Sequence, residues 1–473
     1  MNNNVTDLLT KLVSNNIVYD ENSSITYSQL VNSTKELDKV FDHKDKDSIQ
    51  CVHITIQNDI NTTRLILYLL TKGINFYIGS GSMCYQGTPY FCDMILSSEA
   101  TRHRNLVADY QLTENLNHVK TNSLNPSRGY VIFSTSGSTG APKYVVYKSG
   151  NLVANALKIS ERLGLKKNKK ILVPVPIGHM YGFGVGVLPA ILRGASLSLI
   201  GKNNVIKLYD YLQRFKPNIT LLTPTVCKML ITLSKNIDTN TLYITAGDKI
   251  SEEAYNQFES KFGELINLYG CTELGAIATS DNIKSKRLKG ILTPLDGISI
   301  KLDQYSKGEI YCKHDCGFEG YIDQNGERIF AKPKDTEWFR TKDLGISQGT
   351  NQFKILGRID HCINRLGFLV SFQEIETAIK DLFIDIDQII VVFHSDDSMK
   401  NGRLIAFCSP GDIQVQRRID IKSICREKLP SHLVPDDFCF MKKLPCLSNG
   451  KPDRLLLKNQ TKYCYGKHRY KSS

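Results

Sequence analysis

Between residues 171 and 268 short apolar runs alternate with helix-patterned stretches, and this alternation constrains the fold more than any other feature of the chain. Residues 171–175, 219–222, 242–245 and 265–268 are apolar runs of strand length. Between them Val205, Leu208, Leu212 and Phe215 recur at helical spacing, and 252–262 also carries a helical pattern. Strands that are apolar throughout are covered on both faces, and the intervening helices supply the cover, so the expected class is α/β. Ligands of such sheets bind at strand ends, which is where chemistry is sought.

Residues 133–143, FSTSGSTGAPK, follow the strand-like Tyr130-Val131-Ile132-Phe133. Two glycines let the backbone approach an anion, hydroxyls donate to its oxygens, and Lys143 adds positive charge, so the segment reads as a phosphate cradle. It lacks the GxxxxGK-[ST] spacing of a P-loop. Because Tyr144-Val145-Val146-Tyr147 comes next, the loop is expected to join two strands rather than open a helix.

Other short motifs follow in order: Asn267-Leu268-Tyr269-Gly270-Cys271-Thr272-Glu273, Phe339-Arg340-Thr341-Lys342-Asp343-Leu344, Gly357-Arg358-Ile359-Asp360 and Asn449-Gly450-Lys451-Pro452-Asp453-Arg454. With the loop and the early Ile25-Thr26-Tyr27-Ser28-Gln29-Leu30, this series resembles the adenylate-forming superfamily of acyl-CoA synthetases, adenylation domains and luciferases. The resemblance spans nearly the whole chain. It implies a large N-terminal domain of α/β sheets with a small β-rich subdomain, residues 1–359, and a small mobile C-terminal α+β domain, residues 361–473, hinged at Asp360.

The chemistry implied is activation of a carboxylic acid. A carboxylate is a poor acyl donor; attack on the α-phosphorus of ATP converts it into a mixed anhydride with AMP as leaving group. Like charges meeting at 4 Å repel by about 4 kcal/mol per pair at an effective dielectric of 20, so cations must converge there. By resemblance, Glu273 is a Mg2+ ligand, while Thr272, Ser134, Thr135, Ser136, Gly137, Ser138, Thr139, Gly140 and Lys143 hold phosphates. Tyr269 is expected to stack on adenine with Asn267 and Gly270 near its edge, and Asp343 to take the ribose hydroxyls with Arg358 beside it. Lys451 corresponds to the lysine that bridges carboxylate and ribose in the first step. Rotation about Asp360 is then implied to remove Lys451 and admit a thiol past Gly367, from CoA or from the phosphopantetheine of an acyl carrier protein.

The acid itself is less defined. Amino-acid-activating relatives place an aspartate where the substrate ammonium sits, whereas no Asp or Glu occurs from Arg162 through Tyr209. Residues 176–183 instead resemble the histidine-containing stretch of acyl- and aryl-CoA ligases. His179, Tyr181, Phe183, Ala246, Gly247 and Cys271 are the expected pocket, with His179 facing the carboxylate, suited to an aryl or fatty acid. A stand-alone amino-acid adenylation enzyme and a catalytically silent ATP or acyl-adenylate sensor are the alternatives. Four positions depart from the family pattern: Tyr144 and Lys342 stand where glycine is usual, Asn364 for a lysine and Leu369 for an arginine.

Composition fits this picture. At 473 residues and 41% hydrophobic the chain exceeds one core. No apolar run is long enough to span a membrane, no basic leader is present, and the thirteen cysteines are scattered, so a cytoplasmic protein with reduced thiols is expected. The net charge of +13 suits an acidic carrier protein or the phosphates of CoA, and no nucleic-acid module is recognisable. Cys312, His314 and Cys316 could ligate zinc but lack a second pair nearby.

Overall fold

In a computed structural model of the protein, the described residues are 15–42, 44, 48–79, 88–99, 109–126, 128–135, 143–201, 205–233, 240–248, 250–280, 290–303, 306–331, 337–365, 368–383, 385–394, 403–409, 415–447 and 452–464. The chain divides into two compact units, one of residues 1–299 and 312–339 and the other of 300–311 and 340–473.

The first unit is built on two sheets. In one, strands Leu265–Cys271, Leu242–Thr245, Ile219–Leu222, Lys170–Val173, Ser196–Leu199 and Ile17–Tyr19 run side by side in parallel. The strand Ile219–Leu222 is buried at every position, as a strand with both faces covered must be. Its covering helices are Val205–Phe215, Pro224–Thr232 and Glu252–Phe262, and they close over Tyr243, Phe258 and Phe262. Phe258 and Phe262 stack at 4.9 Å, and Tyr243 meets Phe258 edge-on at 5.0 Å, contacts each worth about 1 kcal/mol beyond their buried area. The Ser251 hydroxyl accepts from Ala254 N–H to start the last helix, Glu252 and Glu253 favour its positive end, and Gly263 at φ 106° ends it.

The second sheet has eight strands, in the order Arg328–Ala331, Gly320–Ile322, Lys143–Lys148, Tyr130–Thr135, Phe76–Ile78, Val52–Ile54, Met94–Glu99 and Asp109–Glu114. Tyr130–Thr135 and Lys143–Lys148 pair antiparallel, with Thr135 opposite Lys143.

In the second unit, residues 340–358 carry most of two antiparallel strands, Phe339–Ser347 and Phe353–Arg358. Beyond them, Gln388–His394, Arg403–Ser409 and Asp437–Phe440 form a three-stranded sheet, packed with the Ser371-capped helix Phe372–Leu382 around Ile375, Ile379, Val391 and Ala406. The architecture is the expected mixed α/β arrangement of large sheets and helices.

No helix among the described residues is long and apolar enough to cross a membrane. The apolar stretch 180–200 instead divides into a π-helix Tyr181–Val187, a helix Leu188–Arg193 and a buried strand. Cys51, Cys92, Cys227, Cys271, Cys312, Cys316, Cys408, Cys425 and Cys446 are free thiols. Cys439 is disulfide-bonded, which the scattered cysteines did not foretell.

Candidate active site

The pleat of the hairpin decides which loop residues share a face. Thr135 and Phe133 lie opposite Lys143 and Val145, so with Tyr147 they occupy one side of the sheet. Tyr321 lies opposite Val145 on the next strand and joins the same side. Tyr144 points to the other side, where it meets Phe91 at 5.0 Å and Tyr77 at 5.4 Å in a buried aromatic cluster. The departure at Tyr144 is therefore accommodated in the core, away from the face that carries Lys143. Ser136, Gly137, Ser138, Thr139 and Gly140 lie outside the described residues, while Ser134 and Thr135 are half-buried at the strand end.

The segment 267–273 ends one strand and enters a tight hairpin. Its two arms, Leu265–Cys271 and Gly275–Thr279, pair with a register shift at Tyr269/Gly270. Gly270 has no room for a side chain, since a Cβ would lie 2.2 Å from the Gly275 carbonyl oxygen. Gly275 sits at φ 68°, where a Cβ would strike Asn155. Asn267 is tied through its backbone, its N–H donating to Ser280 Oγ at 2.9 Å and its carbonyl accepting from Ser280 N–H at 2.8 Å. Tyr269 is largely buried, and Cys271, Thr272 and Glu273 are half-buried.

Two tyrosines from the hairpin sheet hold the Thr272-Glu273 pair. The Tyr147 hydroxyl donates to the Thr272 carbonyl at 2.9 Å, and the Tyr321 hydroxyl to Glu273 Oε1 at 2.7 Å. Burial drives the Tyr147 phenol far above its ordinary range, with the neighbouring Cys271 and Glu273 adding to the shift, so it remains a neutral donor. Phe318 N–H donates to the Glu273 carbonyl at 2.9 Å. A carboxylate held by one oxygen is a hard oxygen donor of the kind Mg2+ takes, so Glu273 fits the expected ligand role.

Along the expected acid pocket, the π-helix packs three glycines against neighbouring groups. A Cβ on Gly182 would approach the Pro176 carbonyl oxygen to 2.3 Å, one on Gly184 the Met180 sulfur to 2.9 Å, and one on Gly186 Val173 to 2.9 Å. π-Helical turns recur at functional sites. His179 is half-buried and its carbonyl accepts from Phe183 N–H at 2.9 Å. Phe183 is fully buried and meets Phe133 at 5.7 Å. The Tyr181 hydroxyl donates to the carbonyls of Leu222 and Ile244 at 3.1 and 2.8 Å, so it braces the ends of two strands. Ala246 is buried and Gly247 exposed at φ 89° just past the same strand ends.

Sequence reasoning missed Asn58, whose amide donates to the carbonyls of Val175 and Ile200 and accepts from Ile177 N–H. It pins the turn leading to His179. Nothing in a lone Asn 121 positions before His179 signals this. The His314, Asp315 and Cys316 ligand atoms lie within 4.8 Å of one another, without Cys312, and the Cys316 thiol already donates to Asp315 at 2.9 Å.

In the second unit, Asp343 and Arg358 are directly opposite across their strands, and Arg358 Nη1 donates to Asp343 Oδ1 at 3.1 Å. Asp343 is 7% exposed. Its backbone N–H donates to Thr341 Oγ1 at 3.1 Å. Lys342, the second departure, adopts φ 61°, so the left-handed backbone favoured by glycine is kept with a lysine on it. The Asp360 side chain, Gly367 and Lys451 lie outside the described residues. Arg454, near Lys451 in sequence, pairs with Glu376 at 2.8 Å.

Residues 82–322 match the AMP-binding enzyme family. The D-alanine--D-alanyl carrier protein ligase of Bacillus licheniformis is 24% identical over 364 residues, covering 70% of this chain and 70% of that protein. That of a Staphylococcus aureus strain is 27% identical over 344 residues, covering 69% and 70%. Among solved structures, ATP-bound MatB from Rhodopseudomonas palustris superposes with a TM-score of 0.77 at 17% identity, covering 98% of this chain and 100% of that one. The o-succinylbenzoate CoA synthetase of Bacillus subtilis with its acyl-adenylate intermediate gives 0.77 at 17%, covering 96% and 98%. At these identities the structural likeness concerns the fold.

Proposed function

Because the chain belongs to the AMP-binding enzyme family, we propose that it activates an organic carboxylic acid with ATP and passes the acyl group to a phosphopantetheine thiol. The observation that carries this reading is the convergence on Thr272-Glu273 of two tyrosines from the sheet face that also bears Lys143. In the first step a substrate carboxylate oxygen bonds to the α-phosphorus of ATP and pyrophosphate leaves. In the second a thiolate attacks the acyl carbon, a thioester forms and AMP leaves.

Each residue has a part in that reading. Lys143, Thr135 and the loop 136–140 bind phosphate oxygens, and Thr272 adds a hydroxyl donor; Ser134 pairs with Tyr144 on the opposite side of the sheet. Glu273 is the residue that would hold Mg2+, which when bound offsets phosphate charge. Tyr269, Asn267 and Gly270 take the adenine, Asp343 the ribose hydroxyls, and Lys451 orients carboxylate against ribose. Asp360 is the proposed hinge and Gly367 the proposed entry of the thiol. ATP and carrier thiols are met together in the cytosol, where we place the enzyme.

The carrier-protein ligases among the relatives favour an acyl carrier protein as acceptor, and the basic net charge of +13 suits an acidic one. Their D-alanine substrate also favours a second reading, amino-acid adenylation. Against it stands the absence of any Asp or Glu from Arg162 through Tyr209, which leaves an ammonium without a counter-ion in the segment holding His179, Tyr181 and Phe183. Ala246, Gly247 and Cys271 would complete a pocket for an uncharged acid.

ATP–pyrophosphate exchange with aryl, short, medium and long acids and with amino acids, D-alanine included, tests both readings. Exchange driven by one organic acid and lost in Lys451→Ala supports the proposal. Exchange driven by D-alanine establishes the second reading, and ATP binding without exchange on any acid argues for a sensor.

A further inference from the structure

We propose that Tyr321 is a positioning residue that sets the orientation of the Glu273 carboxylate for a divalent cation; this rests on the reading of Glu273 as the cation's ligand. Gly320 adopts φ 150°, a conformation that a side chain would resist, immediately before Tyr321. The strand Gly320–Ile322 pairs with Lys143–Lys148 on one side and with Arg328–Ala331 on the other, with a register shift at Tyr321/Ile322. Tyr321 is thus carried on paired backbone rather than on a free loop.

The ring is then fixed from two directions. Phe318 meets it edge-on at 5.0 Å, and the Lys143 ammonium stands 6.0 Å from its centroid. Phe318 also donates its N–H to the Glu273 carbonyl. The segment 318–321 therefore grips Glu273 twice, at the main chain through Phe318 and at Oε1 through the Tyr321 hydroxyl.

That second grip has a chemical consequence. A glutamate side chain has three rotatable torsions, and holding one oxygen removes most of that freedom before any cation arrives. A cation over the ring polarises the phenol and strengthens its donation to the carboxylate. Lys143 and Glu273, of opposite charge, are in this way linked through one neutral ring.

Tyr321→Phe removes the hydroxyl and keeps the ring against Phe318 and Lys143. The probe is Mn2+ titrated into the full chain with ATP and followed by electron paramagnetic resonance, so no acid substrate is needed. Mn2+ affinity should fall about tenfold, the range of one hydrogen bond to a charged group, while metal-free ATP affinity and the melting temperature stay near those of the parent. Tyr321→Gln restores a flexible donor and should bind Mn2+ within about threefold of the parent. Should the Phe variant not fold, Gln against Leu at 321 gives the same contrast. Weakening by Glu273→Gln without weakening by Tyr321→Phe overturns the positioning role alone. If Glu273→Gln leaves Mn2+ affinity unchanged, the ligand reading fails and the inference with it. A melting temperature lowered at unchanged Mn2+ affinity would mark Tyr321 as structural only.

Discussion

The side-chain amide of Asn155 pairs with both backbone groups of Ala276, donating to its carbonyl at 2.9 Å and accepting from its N–H at 2.9 Å. Asn155 is 3% exposed, on the helix Ser149–Arg162, and Gly275 beside it has room for no side chain. A buried amide thereby does the work of a strand neighbour for the hairpin that presents Thr272 and Glu273. Asn155→Leu strands both backbone groups without partners and should lower stability by about 2–4 kcal/mol in urea unfolding. ATP affinity should drop with it, because the hairpin loses its anchor.

Asp343 and Arg358 allow a cleaner separation of binding from folding. The carboxylate is nearly buried while the guanidinium is about half exposed, so the pair contributes little net stability after desolvation and solvent screening. Asp343→Asn keeps the shape and the Thr341 contact to its backbone. If the carboxylate takes the ribose hydroxyls, ATP affinity measured by calorimetry should fall about tenfold or more, with the melting temperature changed by only a few degrees. Unchanged ATP affinity would remove Asp343 from the nucleotide site.

How much of this was legible follows from the range of each interaction. Strand Ile219–Leu222 and helix Val205–Phe215 are found where the apolar pattern puts them, because burial on two faces or one stripe is written in adjacent residues. The loop flanks were legible for the same reason. The π-helix Tyr181–Val187 was not: glycine at every second position has no helical stripe, and close packing on Pro176, Met180 and Val173 imposes the turn from outside. Tyr321 and Glu273 are 48 residues apart, and their hydrogen bond depends on a sheet pairing that local pattern does not reveal. The Tyr144 departure finds its explanation only in strand parity, which turns that ring into the core opposite Lys143.

A buried histidine gives the first unit an acid-sensitive term. His53 is 7% exposed, bonds Thr88 at 2.9 Å and packs on Tyr77, and burial lowers its pKa to about 4. The unfolded chain takes up a proton near pH 6.5, whereas the folded one resists it until about pH 4. Its contribution is therefore complete above pH 6.5 and is lost as pH falls through that interval. The loss between pH 7.5 and 5 should be about 2 kcal/mol. Urea unfolding at the two pH values should show a smaller decline in His53→Gln, which retains a partner for Thr88 and does not titrate. Equal declines would assign the acid sensitivity to other groups.

Lys342 tests whether the second departure is a strained residue or a tolerated one. At φ 61° a lysine costs roughly 1–2 kcal/mol relative to glycine, and glycine returns about 0.5–1 kcal/mol of that through its freedom in the unfolded chain. Its N–H is held by Glu309 Oε1 at 3.2 Å, and the other Glu309 oxygen takes Arg340 Nε at 2.9 Å, so the backbone cannot easily turn away. Lys342→Gly should consequently raise stability slightly, by about 0–1.5 kcal/mol. Lys342→Val should lower it by at least about 1 kcal/mol, since a β-branched side chain tolerates this conformation least. Unfolding followed by the fluorescence of Trp338, the only tryptophan in the chain, reads both variants close to the site of change. If valine proves as stable as glycine, the left-handed backbone at 342 is not held by Glu309, and Asp343 loses the rigid platform on which its orientation depends.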